Sequence, residues 1–144
     1  MDQTAREAPG GLIGSGFVAA ITEADAAVLA ARHIAEFNEA VAARNFSQFL
    51  GLFTDDAVIR FENVPGAGTL EFAGRDAYTQ AYAEQPPDDK IDISGAVTVD
   101  GDVVVVPFVW RHDEAPGTMR LRFTAGSPDA LDERLVSSLT VTFG

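Results

Sequence analysis

The chain is predicted to be a single α+β domain, from the positions of its periodic patterns. Helical periodicity predominates before the middle of the chain, whereas from Ile91 onward the apolar residues alternate as they do in strands. Between the two regions, alternating stretches at Ala57 to Glu62 and Thr69 to Phe72 flank the turn sequence Pro65 to Gly68, which predicts a hairpin. Helices followed by a run of strands are typical of the α+β class.

Length, charge and cysteine content restrict the possible functions. A chain of 144 residues can bury roughly 68 to 70% of its unfolded surface around one core. The absence of cysteine excludes thiol nucleophiles and disulfides, and no metal or other cofactor is expected. A net charge of -12 opposes binding to nucleic acid, and the apolar runs are too short to span a membrane.

Residues 1–21 are predicted to be a flexible arm without chemistry, since they are rich in glycine, alanine and charge but lack a clear period. The glycines of the arm follow no strand, so they do not indicate a dinucleotide-binding loop. Leu12 to Ile21 could be the apolar part of a secretion signal. However, Asp2 and Glu7 outweigh Arg6 before it, and a cytoplasmic location is expected.

The first helix is expected to begin after Thr22 as N-cap and to continue to about Arg44, and the domain itself is expected to span residues 22–144. A second, short helix around Phe49 to Phe53 should stop at Thr54-Asp55-Asp56, whose side chains compete for backbone hydrogen bonds. At about 100° per residue, one stripe of the first helix is apolar apart from one histidine. It contains Ala30, His33, Ile34, Phe37 and Val41.

The third helix is predicted over Arg75 to Glu84, where Tyr78 and Tyr82 lie four residues apart on one face. Their ordinary role is core packing, but their hydroxyls could also point into a pocket. Four long strands are expected after this helix, at Ile91 to Val99, Val103 to about His112, Met119 to Thr124 and Leu135 to Phe143. Either face of the last strand could line the interior.

This order of elements resembles the nuclear transport factor 2-like superfamily, which includes ketosteroid isomerases and SnoaL-like polyketide cyclases. The resemblance covers residues 22–143 and is carried by Phe53-Thr54-Asp55-Asp56-Ala57, Gly74-Arg75-Asp76 and Pro107-Phe108. It implies a cone-shaped, curved mixed sheet wrapped around a long N-terminal helix and two shorter helices, with an apolar pocket inside. It also implies a homodimer that forms through the outer face of the sheet.

The isomerase's catalytic residues are not retained. By an ungapped count its general-base aspartate falls on Phe61, its oxyanion-hole tyrosine on Phe37, and its protonated aspartic acid near Leu121 or Phe123. Proton abstraction beside a ketone needs a base and hydrogen-bond donors to the enolate, so steroid isomerisation by those groups is not expected. These four apolar residues are predicted to be pocket walls instead.

The resemblance also places the strand face of Phe108, Trp110 and His112 inside the cone. His112 is the first candidate for an acid/base residue, because histidine titrates near neutrality. His33 on the first helix is the second candidate. The alternatives are a solvated imidazole at the sheet rim for His112 and a structural, hydrogen-bonded histidine for His33.

Two further polar residues are candidates near the pocket. Glu62 would serve as a base only if a bulge turned it inward, since strict alternation places it opposite Phe61. Asn63 is a candidate for substrate binding. Limonene epoxide hydrolase, another member of the superfamily, uses an arginine between two aspartates. Arg111 and Asp113 have the right spacing, but the last strand has no acid, and a surface ion pair is the simpler explanation.

The predicted function is therefore a small-molecule enzyme of the SnoaL-like type. It would cyclise or isomerise a hydrophobic, polyketide-like substrate by orienting it and moving protons. The alternative is a non-catalytic module that uses the same cone to bind a hydrophobic ligand or to dimerise. The apolar residues Phe37 and Phe61 favour this alternative.

Overall fold

The computed structural model describes residues 21–125 and 128–144 and has the predicted α+β architecture. Apart from Ile21, the predicted arm lies outside these residues. The helices are α1 (Glu23–Ala43), α2 (Ser47–Leu50) and α3 (Arg75–Glu84), and a 3-10 segment spans Pro128–Glu133. The strands are β1 (Phe53–Val64), β2 (Gly68–Ala73), β3 (Ile91–Ile93), β4 (Thr98–Asp100), β5 (Val103–Trp110), β6 (Pro116–Phe123) and β7 (Val136–Phe143).

The described strands form one open, mixed sheet in the order β2-β1-β7-β6-β5-β3, and β4 also pairs with β5. The β1–β7 pair is parallel, and the other pairs are antiparallel. Residues opposite each other on neighbouring strands share a face, so Ile59, Leu139 and Leu121 mark the inner face. All three are buried in the same core as helix α1. The inner face therefore holds both the core and the site.

Helix α1 forms where the sequence predicts it. The Thr22 hydroxyl accepts a hydrogen bond from the Asp25 backbone N–H at 3.0 Å, and the helix ends at Arg44 in a left-handed conformation. The predicted stripe faces the sheet, and its buried residues are Ala26, Leu29, Ala30, His33, Ile34, Phe37 and Ala40. Val41 packs at the edge of the core.

The end of the second helix was predicted wrongly. Helix α2 stops at Leu50, and Thr54 to Asp56, expected to be the helix stop, belong to β1. The cause is a distant pairing, since Phe53 lies opposite Val136 and the Val136 N–H donates to the Leu52 carbonyl at 2.7 Å. The local preference of these polar residues for a turn is outweighed by strand contacts with the far end of the chain.

The predicted strand Ile91 to Val99 is broken into β3 and β4. The break lies beside Pro107 of β5, which has no N–H for a ladder bond. Gly95 approaches the Pro107 ring closely, because a Cβ at position 95 would lie 3.3 Å from its Cγ. The Ser94 N–H still donates to the Pro107 carbonyl at 3.0 Å. A proline in the partner strand thus explains the interruption.

Strand β5 ends at Trp110, two residues before the expected end at His112. The Trp110 carbonyl accepts the Glu114 N–H at 2.8 Å, and the Trp110 N–H donates to Ala115 at 2.9 Å, which closes a tight turn. Glu114 has a φ of 58°, in the left-handed region. Strand β6 starts at Pro116, earlier than the expected Met119. The 3-10 segment forms part of the predicted loop Gly126 to Glu133.

Gly117 is required where β6 crosses Phe108. A Cβ at this position would lie 2.5 Å from Phe108 Cζ and 3.1 Å from the Thr142 carbonyl. We therefore expect Gly117→Ala to lower the free energy of unfolding by about 1–3 kcal/mol, the usual cost of overpacking. The measurement is the urea midpoint at constant m-value.

The double variant Gly117→Ala/Phe108→Leu is the control for this explanation. If the cost comes from the Phe108 ring, the double variant should be more stable than the sum of the two single changes predicts. Simple additivity would show that the clash with Phe108 is not the cause.

Candidate functional site

A small, largely apolar cavity of about 30 Å³ lies between helices α1 and α3 and the inner face of the sheet. This volume holds roughly one or two water molecules, whereas sites for drug-sized ligands measure about 300–1,000 Å³. Its walls are mostly rings and aliphatic side chains. They comprise His33, Phe37, Phe49, Phe61, Tyr78, Tyr82, Ile91, Phe108, Trp110, Met119, Leu139 and Val141.

His33 is the titratable nitrogen base of this cavity. Its side chain is 2% exposed, because it lies on the stripe of α1 that packs against the sheet. The ring contacts Phe49 at a centroid distance of 5.1 Å and Phe53 at 5.8 Å, and Nδ1 has no hydrogen-bond partner. Burial lowers the His33 pKa from 6.5 to about 4, and the nearby Arg32 charge adds to the shift. The imidazole is therefore neutral at pH 7.

Tyr78 and Tyr82 project from one face of α3 into the same cavity. The Tyr78 hydroxyl donates to the Tyr82 oxygen at 2.6 Å, and their rings lie 4.5 Å apart. Burial raises the pKa of Tyr78 well above 10, and the neighbouring Tyr82 raises it further. Burial also raises the pKa of Tyr82, against the opposing effect of the Tyr78 hydrogen bond. Both phenols therefore keep their protons at neutral pH and can donate hydrogen bonds.

The four predicted aromatic walls Phe37, Phe61, Phe108 and Trp110 all line the cavity. Trp110 packs edge-on against Phe37 at 6.3 Å and against Phe108 at 5.8 Å. Phe61 reaches Tyr78 at 6.1 Å from the opposite side. These rings therefore contact one another, and the titratable groups in the cavity lining are His33 and the two phenols.

The expectation that His112 faces the cavity is wrong. Its side chain is 85% exposed in the turn after β5, where the nearest charged partner is Asp113 at 3.9 Å. The face shared with Trp110 would have required the strand to continue, but β5 ends at Trp110. The His112 backbone N–H donates to Asp89 at 3.0 Å, which holds the turn.

Glu62 and Asn63 also lie outside the cavity. The sheet register is irregular after Phe61, yet Glu62 stays on the outer face, where it accepts hydrogen bonds from Arg60 at 2.8 Å and Thr142 at 3.0 Å. The Arg60 contact is the main reason why the Glu62 pKa is lowered. Asn63 has a φ of 60° and donates to the Phe143 carbonyl at 2.7 Å. The Asn63 side chain therefore links β1 to β7, and Glu62 remains outside the cavity.

Leu121 and Phe123 face inward but do not reach the cavity. Leu121 is fully buried in the core, and Phe123 packs at the edge of the core, near the end of β6. Arg111 forms its ion pair with Asp92, at 2.8 Å, rather than with Asp113. This exposed pair lowers the pKa of Asp92 through the Arg111 hydrogen bond. It does not reproduce the epoxide-hydrolase arrangement.

Several walls of the cavity are not among the residues predicted from the sequence. Leu139 and Val141 show that the apolar face of β7 points inward, which the alternation of β7 alone left undecided. Met119, by contrast, shares the strand parity of Leu121 and Phe123, and the alternation of β6 does indicate its inward position. Ile91 is placed by Asn38 of α1, whose side-chain amide accepts from the Ile91 N–H at 2.9 Å and donates to its carbonyl at 2.8 Å. No local pattern indicates this pairing.

Among the described residues, no three histidine, aspartate or glutamate side chains form a group that could hold a metal ion. No helix within residues 21–125 and 128–144 is both long and apolar enough to cross a bilayer.

Comparison with known families identifies the chain as a member of the SnoaL-like domain family, which it matches over residues 34–133. No curated protein matches it by sequence. Among solved structures, a candidate ketosteroid isomerase from Kribbella flavida aligns over 84% of this chain and 78% of its own, with 18% identity and a TM-score of 0.51.

Two further structures give the same fold. A candidate isomerase of the SnoaL-like family from Agrobacterium tumefaciens covers 84% of this chain and 98% of its own, with 12% identity and a TM-score of 0.56. An NTF-2 like protein of unknown function from Burkholderia xenovorans covers 85% of this chain and 84% of its own, with 17% identity and a TM-score of 0.57. The fold therefore belongs to the nuclear transport factor 2-like superfamily, as the motifs indicated.

The buried His33 should make the stability of the protein depend on pH. Between pH 6.5 and about 4 the unfolded chain protonates His33 and the folded chain does not, so the folded state loses stability as the pH falls through this window. The shift corresponds to about 3 kcal/mol of folding stability, which is retained above pH 6.5 and lost by about pH 4. We expect His33→Gln to reduce the loss of unfolding free energy between pH 7 and pH 4 by a large part of this amount.

The measurement is urea unfolding at several pH values for the wild type, His33→Gln and the exposed control His112→Gln. The control should follow the wild type. Equal pH dependence in all three proteins would mean that His33 does not stay neutral in the folded state.

Proposed function

We propose that this protein is a small-molecule enzyme that isomerises or cyclises a neutral, hydrophobic, polyketide-like substrate by moving a proton. The observation that carries the proposal is the cavity itself. An imidazole with an unpartnered Nδ1 and a hydrogen-bonded phenol pair share an otherwise apolar enclosure. Convergent polar groups in an apolar pocket are the usual mark of a binding or catalytic site. The candidate isomerases among the structural neighbours add support by analogy of fold.

In the proposed reaction, neutral His33 accepts a proton from a carbon next to a substrate carbonyl. The electron pair of the C–H bond moves into the enolate, whose oxygen accepts a hydrogen bond from the phenol pair. The imidazolium then returns the proton to another carbon, or the enolate attacks a second carbonyl carbon to close a ring and the new alkoxide takes the proton. A base with a pKa of about 4 is weak, but the enolate charge beside it stabilises the imidazolium in an apolar site.

The aromatic walls would bind the substrate's apolar body and hold the reacting atoms close together. The cavity of about 30 Å³ must widen for such a substrate to enter, since the walls fill most of the interior. His112, Glu62 and Asn63 have no role in this mechanism, because their side chains lie outside the cavity. We further propose that the reaction takes place in the cytoplasm.

The proposal can be tested without the natural substrate by following α-proton exchange. We expect the protein to accelerate deuterium incorporation into 2-tetralone, a small hydrophobic ketone, in D₂O, as measured by NMR. His33→Gln should lower the protein-dependent rate by roughly 10²- to 10⁴-fold, the scale of one acid/base group. Tyr82→Phe should lower it less, since Tyr78 can still donate.

His112→Gln is the matched control and should exchange like the wild type. The rate should also be nearly constant between pH 5.5 and 9, because His33 loses its proton only near pH 4 on the acid side and the phenols keep theirs. An unchanged rate in His33→Gln would exclude this residue as the base.

The second candidate function is a non-catalytic module that binds a hydrophobic ligand or dimerises. It is favoured by the small volume of the cavity and by the absence of a carboxylate from its lining. The exchange experiment separates the two candidates, because a binding module would bind 2-tetralone without accelerating exchange.

A homodimer through the outer face of the sheet is part of both candidates. In the described part of the chain the helices pack on the inner face, and the outer face presents polar residues that are exposed or half-buried. At its centre Thr140 of β7 lies between Arg60 of β1 and Arg120 of β6. The hydroxyl groups of Thr118, Ser138 and Thr142 lie near these three residues on the same face, and a second copy could form hydrogen bonds with them.

We expect the wild type to sediment as a dimer at micromolar concentration and Thr140→Arg to sediment as a monomer. The added charge would lie between Arg60 and Arg120 and would face the same charges in the second copy. Thr79→Arg, on the exposed side of α3, is the control for the charge change. A monomeric wild type, or a dimeric Thr140→Arg protein, would contradict this interface.

A further inference from the structure

Trp110 lies in the walls of two separate spaces. On one side is the inner cavity of about 30 Å³, and on the other is a surface groove of about 310 Å³. Among the residues that the structure describes, Trp110 is the one that lines both. The groove has a second aromatic wall, Phe143, and three carboxylates at its rim, Asp88, Asp89 and Asp113.

The ring contacts place the Trp110 indole as a partition between the spaces. Its inward neighbours are the cavity walls Phe37 and Phe108, which it meets at interplanar angles of 67° and 82°. On the groove side its ring lies nearly parallel to that of Phe143, with a centroid distance of 6.2 Å and an interplanar angle of 14°. Phe143 in turn contacts Phe61, another wall of the cavity, at 6.2 Å. The stacked pair thus spans β6 from β5 to β7 and lies between the groove and the cavity.

The backbone beneath this pair is held firmly, whereas the rings are not held by hydrogen bonds. Trp110 makes backbone hydrogen bonds to Glu114 and Ala115 in the turn after β5. The Phe143 carbonyl accepts from Asn63, and the following Gly144 N–H donates to Pro116 at 3.1 Å. No hydrogen bond to the Trp110 indole N–H occurs within the described residues, so rotation of the ring breaks only packing contacts. Because the indole is packed against other rings, its rotation requires those rings to move as well and is slower than the rotamer changes of exposed side chains.

We propose that Trp110 and Phe143 form an aromatic gate through which the ligand passes from the groove to His33 and the phenol pair. Rotation of the two rings joins the cavity to the groove, whose own volume of about 310 Å³ already lies in the range of about 300–1,000 Å³ that small-molecule sites occupy. A ligand then extends across both spaces, with its reacting end inside. The gate rests on the proposed function, since it assumes that the inner cavity is the ligand site.

The groove also restricts the charge of the ligand. Its carboxylates Asp88, Asp89 and Asp113 repel an anion at the entrance, in a chain whose net charge is -12. The aromatic and proline surfaces beside them suit a flat apolar body. The groove therefore disfavours anionic ligands, and a neutral aromatic probe is an appropriate reagent.

The test is stopped-flow binding of N-phenyl-1-naphthylamine, a neutral probe whose fluorescence rises in apolar surroundings. In the wild type we expect the observed rate to reach a plateau at high probe concentration, because gate opening limits entry. Phe143→Ala and Trp110→Ala should bind the probe at least tenfold faster without this plateau, and Trp110→Phe should lie between them. Because the chain contains a single tryptophan, acrylamide quenching of Trp110 should increase in Phe143→Ala.

Phe123→Ala is the matched control, since it truncates a half-buried phenylalanine of the inner face that lines neither space. It should keep the wild-type plateau, and near-ultraviolet circular dichroism establishes that each variant is folded. Wild-type kinetics in folded Phe143→Ala and Trp110→Phe, or no probe binding by any folded protein, would overturn the gate. Gated binding without any exchange of 2-tetralone protons would instead remove the proposed catalysis and leave the gate supported.

Discussion

Helix α1 packs one stripe of its surface against the inner face of the sheet, and the core, the cavity and the placement of the chemistry all depend on this contact. The stripe is apolar for most of its length, so its burial removes a large apolar area from water at roughly 25 cal/mol per Å². Polar contacts hold the helix at its flanks. Asn38 pairs with the backbone of Ile91, and Arg32 donates to the carbonyls of Leu131 and Arg134 at 3.2 and 2.8 Å.

The same contact takes His33 out of water. A buried imidazole nitrogen without a partner is costly, since a hydrogen bond to water has been lost and not replaced. The His33 pKa falls because burial disfavours the charged form and because Arg32 lies on the same helix beside it. Apolar residues at this position would give a more stable core. Natural sequences depart from such local rules mainly at functional or strained sites, which directs attention to this histidine.

Aromatic rings determine the size of the interior. Phe37 and Phe61 each contact further rings at centroid distances of 5.5 to 6.3 Å. These tilted and edge-on contacts fill space efficiently and stabilise the core. They also leave only about 30 Å³ empty, so any ligand larger than water can enter only when rings move. Stability of the core and access to the site thus depend on the same side chains.

The sequence by itself determined the α+β class, the buried stripe of α1 and the inward positions of Phe108 and Trp110, because these follow from local periodicity and from recognisable motifs. Tyr78 and Tyr82 share a face for the same local reason. Only the tertiary structure decided where strands begin and end and which face of β7 points inward. Those features depend on pairing between distant segments, such as Phe53 with Val136. The two histidines show the difference. Helical spacing correctly predicted that His33 lies on the buried face of α1. His112 lies in solvent because a turn closed by Glu114 and Ala115 ends β5 at Trp110.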